Sequence, residues 1–209
     1  MQTRYTTIHS MYIASMDAFQ HDDITQQEQR SGVTLRTVRE RAEHNAQRLY
    51  DLTALCVDPC TTSTITLLDI AGALGVRSLV ATEFDDPATP DCVVVGAIDY
   101  PAIIIGKTLW SADPHTDPTL AATRDTALAH ALGHINDHAT RYQPMLPLEA
   151  YDNCVPRHVA DAYTDADMQD ETRAAEYYAH VFATALLARL KAAPDTAEGP
   201  HTTESVETA

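Results

Sequence analysis

Basic side chains are scarce in this chain. Its 14 Lys and Arg stand against 30 Asp and Glu, a formal net charge of −16. That balance argues against direct nucleic-acid binding, because such affinity comes mainly from Lys and Arg neutralising phosphates. It argues equally against docking on anionic lipid. A basic protein partner would suit the charge, although solubility alone accounts for it. Long apolar runs are missing too: no stretch approaches the roughly 20 residues of a membrane helix. The opening residues, Met1 to Ser15, lack a basic region followed by an apolar run, so no secretory signal is expected. Cysteine is sparse, with 4 in 209 residues, which excludes a disulfide framework and leaves the cytoplasm as the expected location. Cys56 and Cys60 have a spacing that suits one helical face. No second Cys or His pair lies nearby, so they read as plain thiols.

What is present is ordinary for a soluble globular protein: 44% apolar and 21% charged residues, on a length that suits one domain. Residues 1–33 are mostly polar and read as an N-terminal extension, with one weak apolar patch at Met11-Tyr12-Ile13. Residues 34–192 form the expected domain, and the acidic tail at 193–209 reads as disordered. Within the domain, Thr34 can cap a helix over 34–55 that carries Leu35, Val38, Ala42, Leu49 and Leu52 at helical spacing. A second helix fits Thr66–Leu74, stopped by Gly75. Ser78–Thr82, Cys92–Ile98 and Ala102–Ile105 read as strands, with Asp99-Tyr100-Pro101 as a turn, and together they suggest a small antiparallel sheet. The run Gly106-Lys107-Thr108 is no phosphate loop, because Pro101 stands where that motif needs glycine. Asp117 and Pro118 start a helix that runs to about His138. A loop with Pro144, Pro147 and Pro156 follows. The last helix covers about Asp167 to Lys191, with Tyr178, Phe182, Leu186 and Leu190 as its core stripe. The fold class is therefore α+β and mostly helical.

The chemistry-bearing segment is His130-Ala131-Leu132-Gly133-His134. Each helical residue advances about 100°, so positions four apart nearly superpose. His130, His134 and His138 thus form one stripe, while Leu128, Leu132 and Ile135 form another on roughly the opposite side. The leucines can enter a core while the histidines line a cleft. Two imidazoles one turn apart can both reach a single metal ion, the basis of many helical zinc sites. A bare His-x-x-x-His pair is also common by chance, and on an exposed face it usually binds nothing.

The surroundings of the pair resemble the ImmA/IrrE metallopeptidases over about residues 36–190. Leu68-Asp69-Ile70-Ala71-Gly72-Ala73-Leu74-Gly75-Val76 is similar to the family's second helix, and Ala102-Ile103-Ile104-Ile105 to the strand before the active helix. Arg124 to His130 leads into the motif, where Leu128 to His134 is similar to the LAHELGH of the family's active helix, His138 to a histidine often found four residues later, and Phe182-Ala183-Thr184-Ala185-Leu186-Leu187 to its late FAxxLL pattern. The resemblance implies a zincin-like domain and a zinc endopeptidase. It also implies a protein substrate, a helix-turn-helix repressor, whose cleavage relieves gene repression. It implies His130 and His134 as zinc ligands and a glutamate of the last helix as the third. With Phe182-Ala183 setting the register, the glutamate beside the family's alanine falls at Tyr178 and the earlier one at Glu176. Glu176 is the first choice and Glu171, at the helical phase of Phe182, the alternative. Both are equally readable as solvated helix charges.

One departure bears on activity. Ala131 occupies the position of the family's general base, the Glu that takes a proton from metal-bound water. Without that group, weak or absent cleavage is expected, and a non-catalytic pseudopeptidase that binds or senses a regulatory protein is the alternative. Asp137 as a replacement base lies at the wrong helical phase relative to position 131.

Overall fold

The computed structural model describes residues 32–54, 63–83, 92–97, 100–140 and 163–192. The Met11–Ile13 patch, Cys56 and Cys60, the connection with Pro144, Pro147 and Pro156, and the acidic tail lie outside the described residues. Helix α1 spans Leu35–Ala54 and begins with a reciprocal cap. Thr34 Oγ1 accepts from the Thr37 amide at 3.2 Å, and Thr37 Oγ1 accepts from the Thr34 amide at 3.0 Å, so two otherwise orphaned N–H groups are satisfied. Its apolar stripe buries Val38, Ala42, Ala46 and Leu49, with Leu35 and Leu52 packed at the margin. The domain also reaches back to Val33, whose carbonyl accepts from Gln169 Nε2 at 2.9 Å.

Helix α2, Ser63–Ala73, closes as the glycine foretold. Gly75 takes φ +80°, which permits its amide to reach the Gly72 carbonyl at 3.1 Å and the Val76 amide to reach Ala71 at 3.0 Å. Strands β1 (Ser78–Thr82), β2 (Cys92–Ala97) and β3 (Tyr100–Gly106) follow.

The sheet departs from the expected antiparallel form. Its order is β1-β3-β2, with β2 antiparallel to β3 but β1 parallel to it. The hairpin fixes the direction of β2 against β3 locally. β1 takes the opposite edge, beside a strand that runs its own way. Of the turn expected at Asp99-Tyr100-Pro101, Asp99 lies outside the described residues, and Tyr100 and Pro101 belong to β3, where the Pro101 carbonyl accepts from the Arg77 amide at 2.9 Å. A proline is tolerated there because it stands at the start of the strand. Within β3, Ile103 and Ile105 enter the core.

A short helix α3 (Lys107–Trp110) leads to a turn and then to α4, Pro118–Thr140. Asp117 caps α4, its Oδ1 accepting from the Leu120 amide at 2.9 Å, and Pro118 occupies the first helical position. Arg124, itself buried, donates through Nη1 to the Ala112 carbonyl at 2.6 Å and so ties the turn to the helix. A 3₁₀ turn, Asp167–Gln169, precedes α5, Glu171–Ala192, where Asp170 Oδ1 accepts from the Arg173 amide at 3.0 Å. Helix α5 packs along both α1 and α4. Its stripe Tyr178, Phe182 and Leu186 is fully buried, and Leu190 lies at the edge of the core. The result is a mostly helical α+β fold around one core. Among the described residues, no helix is long and apolar enough to cross a membrane.

Candidate metal centre

The first half of α4 is amphipathic, whereas Ala127 to His138 are buried on every side. The histidines were expected to line a cleft. Instead His130 is 2% and His134 1% exposed. The physical reason is α5, which lies over that face of α4 and carries a carboxylate to it. Glu176 Oε1 stands 3.3 Å from His130 Nε2, and Glu176 Oε2 stands 3.3 Å from His134 Nε2. The two imidazole rings are edge to face, 4.7 Å between centroids. One ligand atom from each of the three residues lies within 4.8 Å of the others.

Why α5 can come so close is legible at Gly133. A Cβ placed there would stand 2.7 Å from Ala179 Cα and 2.9 Å from the Ala179 carbonyl oxygen. Real Cβ atoms do not approach backbone so closely, so glycine on α4 and alanine on α5 are what allow the helices to meet. The small residues Ala175, Ala179 and Ala183 are all buried on α5.

The electrostatics suit a cation. Burial, then the neighbouring His134, push the His130 imidazolium down to about 3, opposed by Glu176. His130 is therefore neutral at ordinary pH, the form in which imidazole binds metal. Among the described residues no hydrogen bond reaches His130 Nε2, a buried atom that faces the carboxylate at contact distance. A buried polar atom in that condition is expensive unless something satisfies it. Two imidazoles and a carboxylate form a common zinc donor set, with the fourth position left for water or substrate. The residues present could thus hold a metal ion.

The other sequence candidates fall outside this group. Glu171 is exposed in the first turn of α5. His138 is buried farther along α4, apart from the three converging residues. Asp137 is 1% exposed and pairs with Arg41, Oδ1 to Nη1 at 2.7 Å, so it is committed elsewhere. Ala131 is buried and presents only a methyl group. One residue was not anticipated. His180, one turn beyond Glu176, disfavours charge on His130. Its i+4 spacing from Glu176 was the available signal.

A polar network adjoins the site. Asn45 Nδ2 on α1 donates to the Tyr178 hydroxyl at 2.8 Å, and that hydroxyl donates to Asn136 Oδ1 on α4 at 2.5 Å. The Arg41 guanidinium lies over the Tyr178 ring, 4.3 Å from its centroid. Burial raises the Tyr178 phenol above its ordinary value, so it keeps its proton and donates.

Comparison of the chain with protein-family models, with curated proteins and with solved structures gave no match.

Proposed function

We propose that this chain is a zinc-binding domain of the ImmA/IrrE metallo-endopeptidase type, zincin-like in arrangement, whose substrate or partner is a helix-turn-helix repressor. With alanine at position 131 it cleaves weakly or not at all. One observation carries the reading: His130, His134 and Glu176 offer three ligand atoms within 4.8 Å of one another. The order of elements around them, from the second helix through β3 to the late FATALL helix, supports it. The acidic balance of the chain is complementary to a basic DNA-binding repressor in the cytoplasm.

In this reading His130 and His134 bind through Nε2 and Glu176 through its carboxylate. Zinc held there would supply Lewis acidity toward a water and the scissile carbonyl. His130 stays neutral because it is buried, which keeps its lone pair available. Glu176 contributes the negative charge that offsets part of the ion's. No group at position 131 can hold or move the proton, and that assistance is worth about 10²–10⁴ in rate. The Asp137 carboxylate does not replace it, because Arg41 holds it.

Ala131 itself favours a second reading, a non-catalytic pseudopeptidase that binds or senses the repressor. Metal analysis of the purified chain, of His130→Ala and of Ala131→Glu separates the two, with cleavage assayed on a helix-turn-helix repressor encoded beside it. The expected result is about one zinc per chain, lost in His130→Ala, and a gain in cleavage of about 10²–10⁴ in Ala131→Glu. Absence of zinc together with no cleavage by Ala131→Glu overturns the enzyme reading. A repressor complex that survives loss of both histidines supports the second.

A further inference from the structure

The hydrogen-bond chain Asn45–Tyr178–Asn136 serves no ligand contact, yet it is buried where three helices meet. Tyr178 is fully buried, and Asn45 and Asn136 are 5% and 1% exposed. Burying three polar groups in a core is unfavourable unless they are paired, and a paired set adds direction that apolar packing lacks. The neighbouring surfaces need that direction. The α4–α5 contact is built from Gly133 and Ala179, and Ala174, Ala175 and Ala183 are also buried on α5. Small side chains interlock poorly, and hydrophobic burial is non-directional. A slip of one residue along α5 would move Glu176 by about 1.5 Å and swing it by about 100°.

We infer that Asn45, Tyr178 and Asn136, backed by the Arg41–Asp137 pair, are positioning residues that set the register of α5 against α4 and so hold the Glu176 carboxylate on His130 and His134. The inference rests on reading those three residues as a metal site. The connectivity is direct. Tyr178 stands two residues past Glu176, and Asn136 two past His134. Its hydroxyl spans from α5 to α4 at 2.5 Å and accepts from α1 at 2.8 Å. Arg41 and Asn45 lie one turn apart on α1, on a face otherwise built from Val38, Ala42, Ala46 and Leu49. Arg41 holds Asp137, the residue after Asn136, at 2.7 Å and covers the Tyr178 ring at 4.3 Å. Tyr178 also occupies the place where the family resemblance puts a glutamate. Here that side chain turns to α1 and α4, and Glu176 takes the carboxylate role at the histidines.

The test is Tyr178→Phe in the full chain, which keeps the ring and deletes the hydroxyl. Phe182→Leu is the control, a buried substitution one turn away on the same helix with no polar link. Zinc affinity by chelator competition and the visible absorption of the Co²⁺-loaded protein are read alongside thermal stability. Tyr178→Phe is expected to weaken zinc by about tenfold or more, the scale seen when partners orienting a ligand are removed. Its Co²⁺ spectrum is expected to shift as the carboxylate leaves the ion. Phe182→Leu should lose stability while keeping both signatures. Unchanged affinity and spectrum in Tyr178→Phe overturn the inference while leaving the metal site standing. If the unsubstituted chain binds neither Zn²⁺ nor Co²⁺, the metal reading falls. The register is then decided by crystal structures of the metal-free proteins. A Glu176–His130 contact that persists in Tyr178→Phe overturns the inference, and one that opens supports it. Should Tyr178→Phe not fold, Asn45→Ala breaks the same chain from α1 and is read by the same measurements.

Discussion

At the scale of single residues, the site depends as much on what is small as on what is charged. Gly133 carries no chemistry, yet a side chain there would collide with the backbone of Ala179 at 2.7 Å. Gly133→Ala is therefore expected to destabilise the fold by about 1–3 kcal/mol, as overpacking does in other cores, even though alanine is the better helix former. Because α5 must retreat to make room, metal affinity should fall with stability. Urea unfolding and metal titration of the same variant check this, and a variant with wild-type values in both would refute the close approach. Ala131 is the opposite case, a small residue where the proposed resemblance would put a functional one. It packs in the core and presents only a methyl group. The Asp137 carboxylate, six residues on, has its charge matched to Arg41.

At the scale of elements, the helices were largely readable because their signals are local. Thr34, Asp117 and Gly75 each bond the backbone within a few residues, so caps written in the sequence appear as caps in the structure. The stripes of α1 and α5 also buried as their spacing required at their centres, with Leu35, Leu52 and Leu190 only partly buried at the ends. The sheet was less legible. Period-two patterns say that a strand exists, and not which neighbour it takes, so β1 joined β3 in parallel against expectation. What holds α1 to α4 is also non-local. The Arg41–Asp137 pair is 5% and 1% exposed on its two side chains, deep enough that removing one charge strands the other. Arg41→Met alone should cost about 3–5 kcal/mol, whereas the double variant Arg41→Met/Asp137→Leu should recover much of that loss. A double-mutant cycle by chemical denaturation measures the difference, and additive losses would show that the pair is not coupled.

At the scale of the whole molecule, α5 is the element on which fold and site both depend. It carries Tyr178, Phe182 and Leu186 into the core and Glu176 to the histidines of α4, so a ligand bound there bridges the two longest helices among the described residues. Zinc should consequently stabilise the native state by mass action, by about 2.7 kcal/mol at a free concentration one hundred times its dissociation constant. Calorimetry with and without zinc is expected to show a raised midpoint that a chelator reverses and that His130→Ala abolishes. A midpoint indifferent to zinc would remove the structural basis of the proposed function.

By itself the sequence determined the helical periods, the caps and the phase that puts His130 and His134 on one face, because these follow from residues within one or two turns of each other. The family resemblance it carries also pointed to Glu176, with Glu171 as the alternative, as the candidate third ligand. Tertiary packing decided the rest. It put Glu176 against both imidazoles at 3.3 Å and left Glu171 exposed. It buried histidines expected at a cleft, and it sent the Tyr178 hydroxyl to a partner 42 residues away. A helical pattern states which side chains share a face. Which helix covers that face, and at what register, is set by contacts between segments distant in the chain, here the glycine–alanine approach and the buried polar bridge.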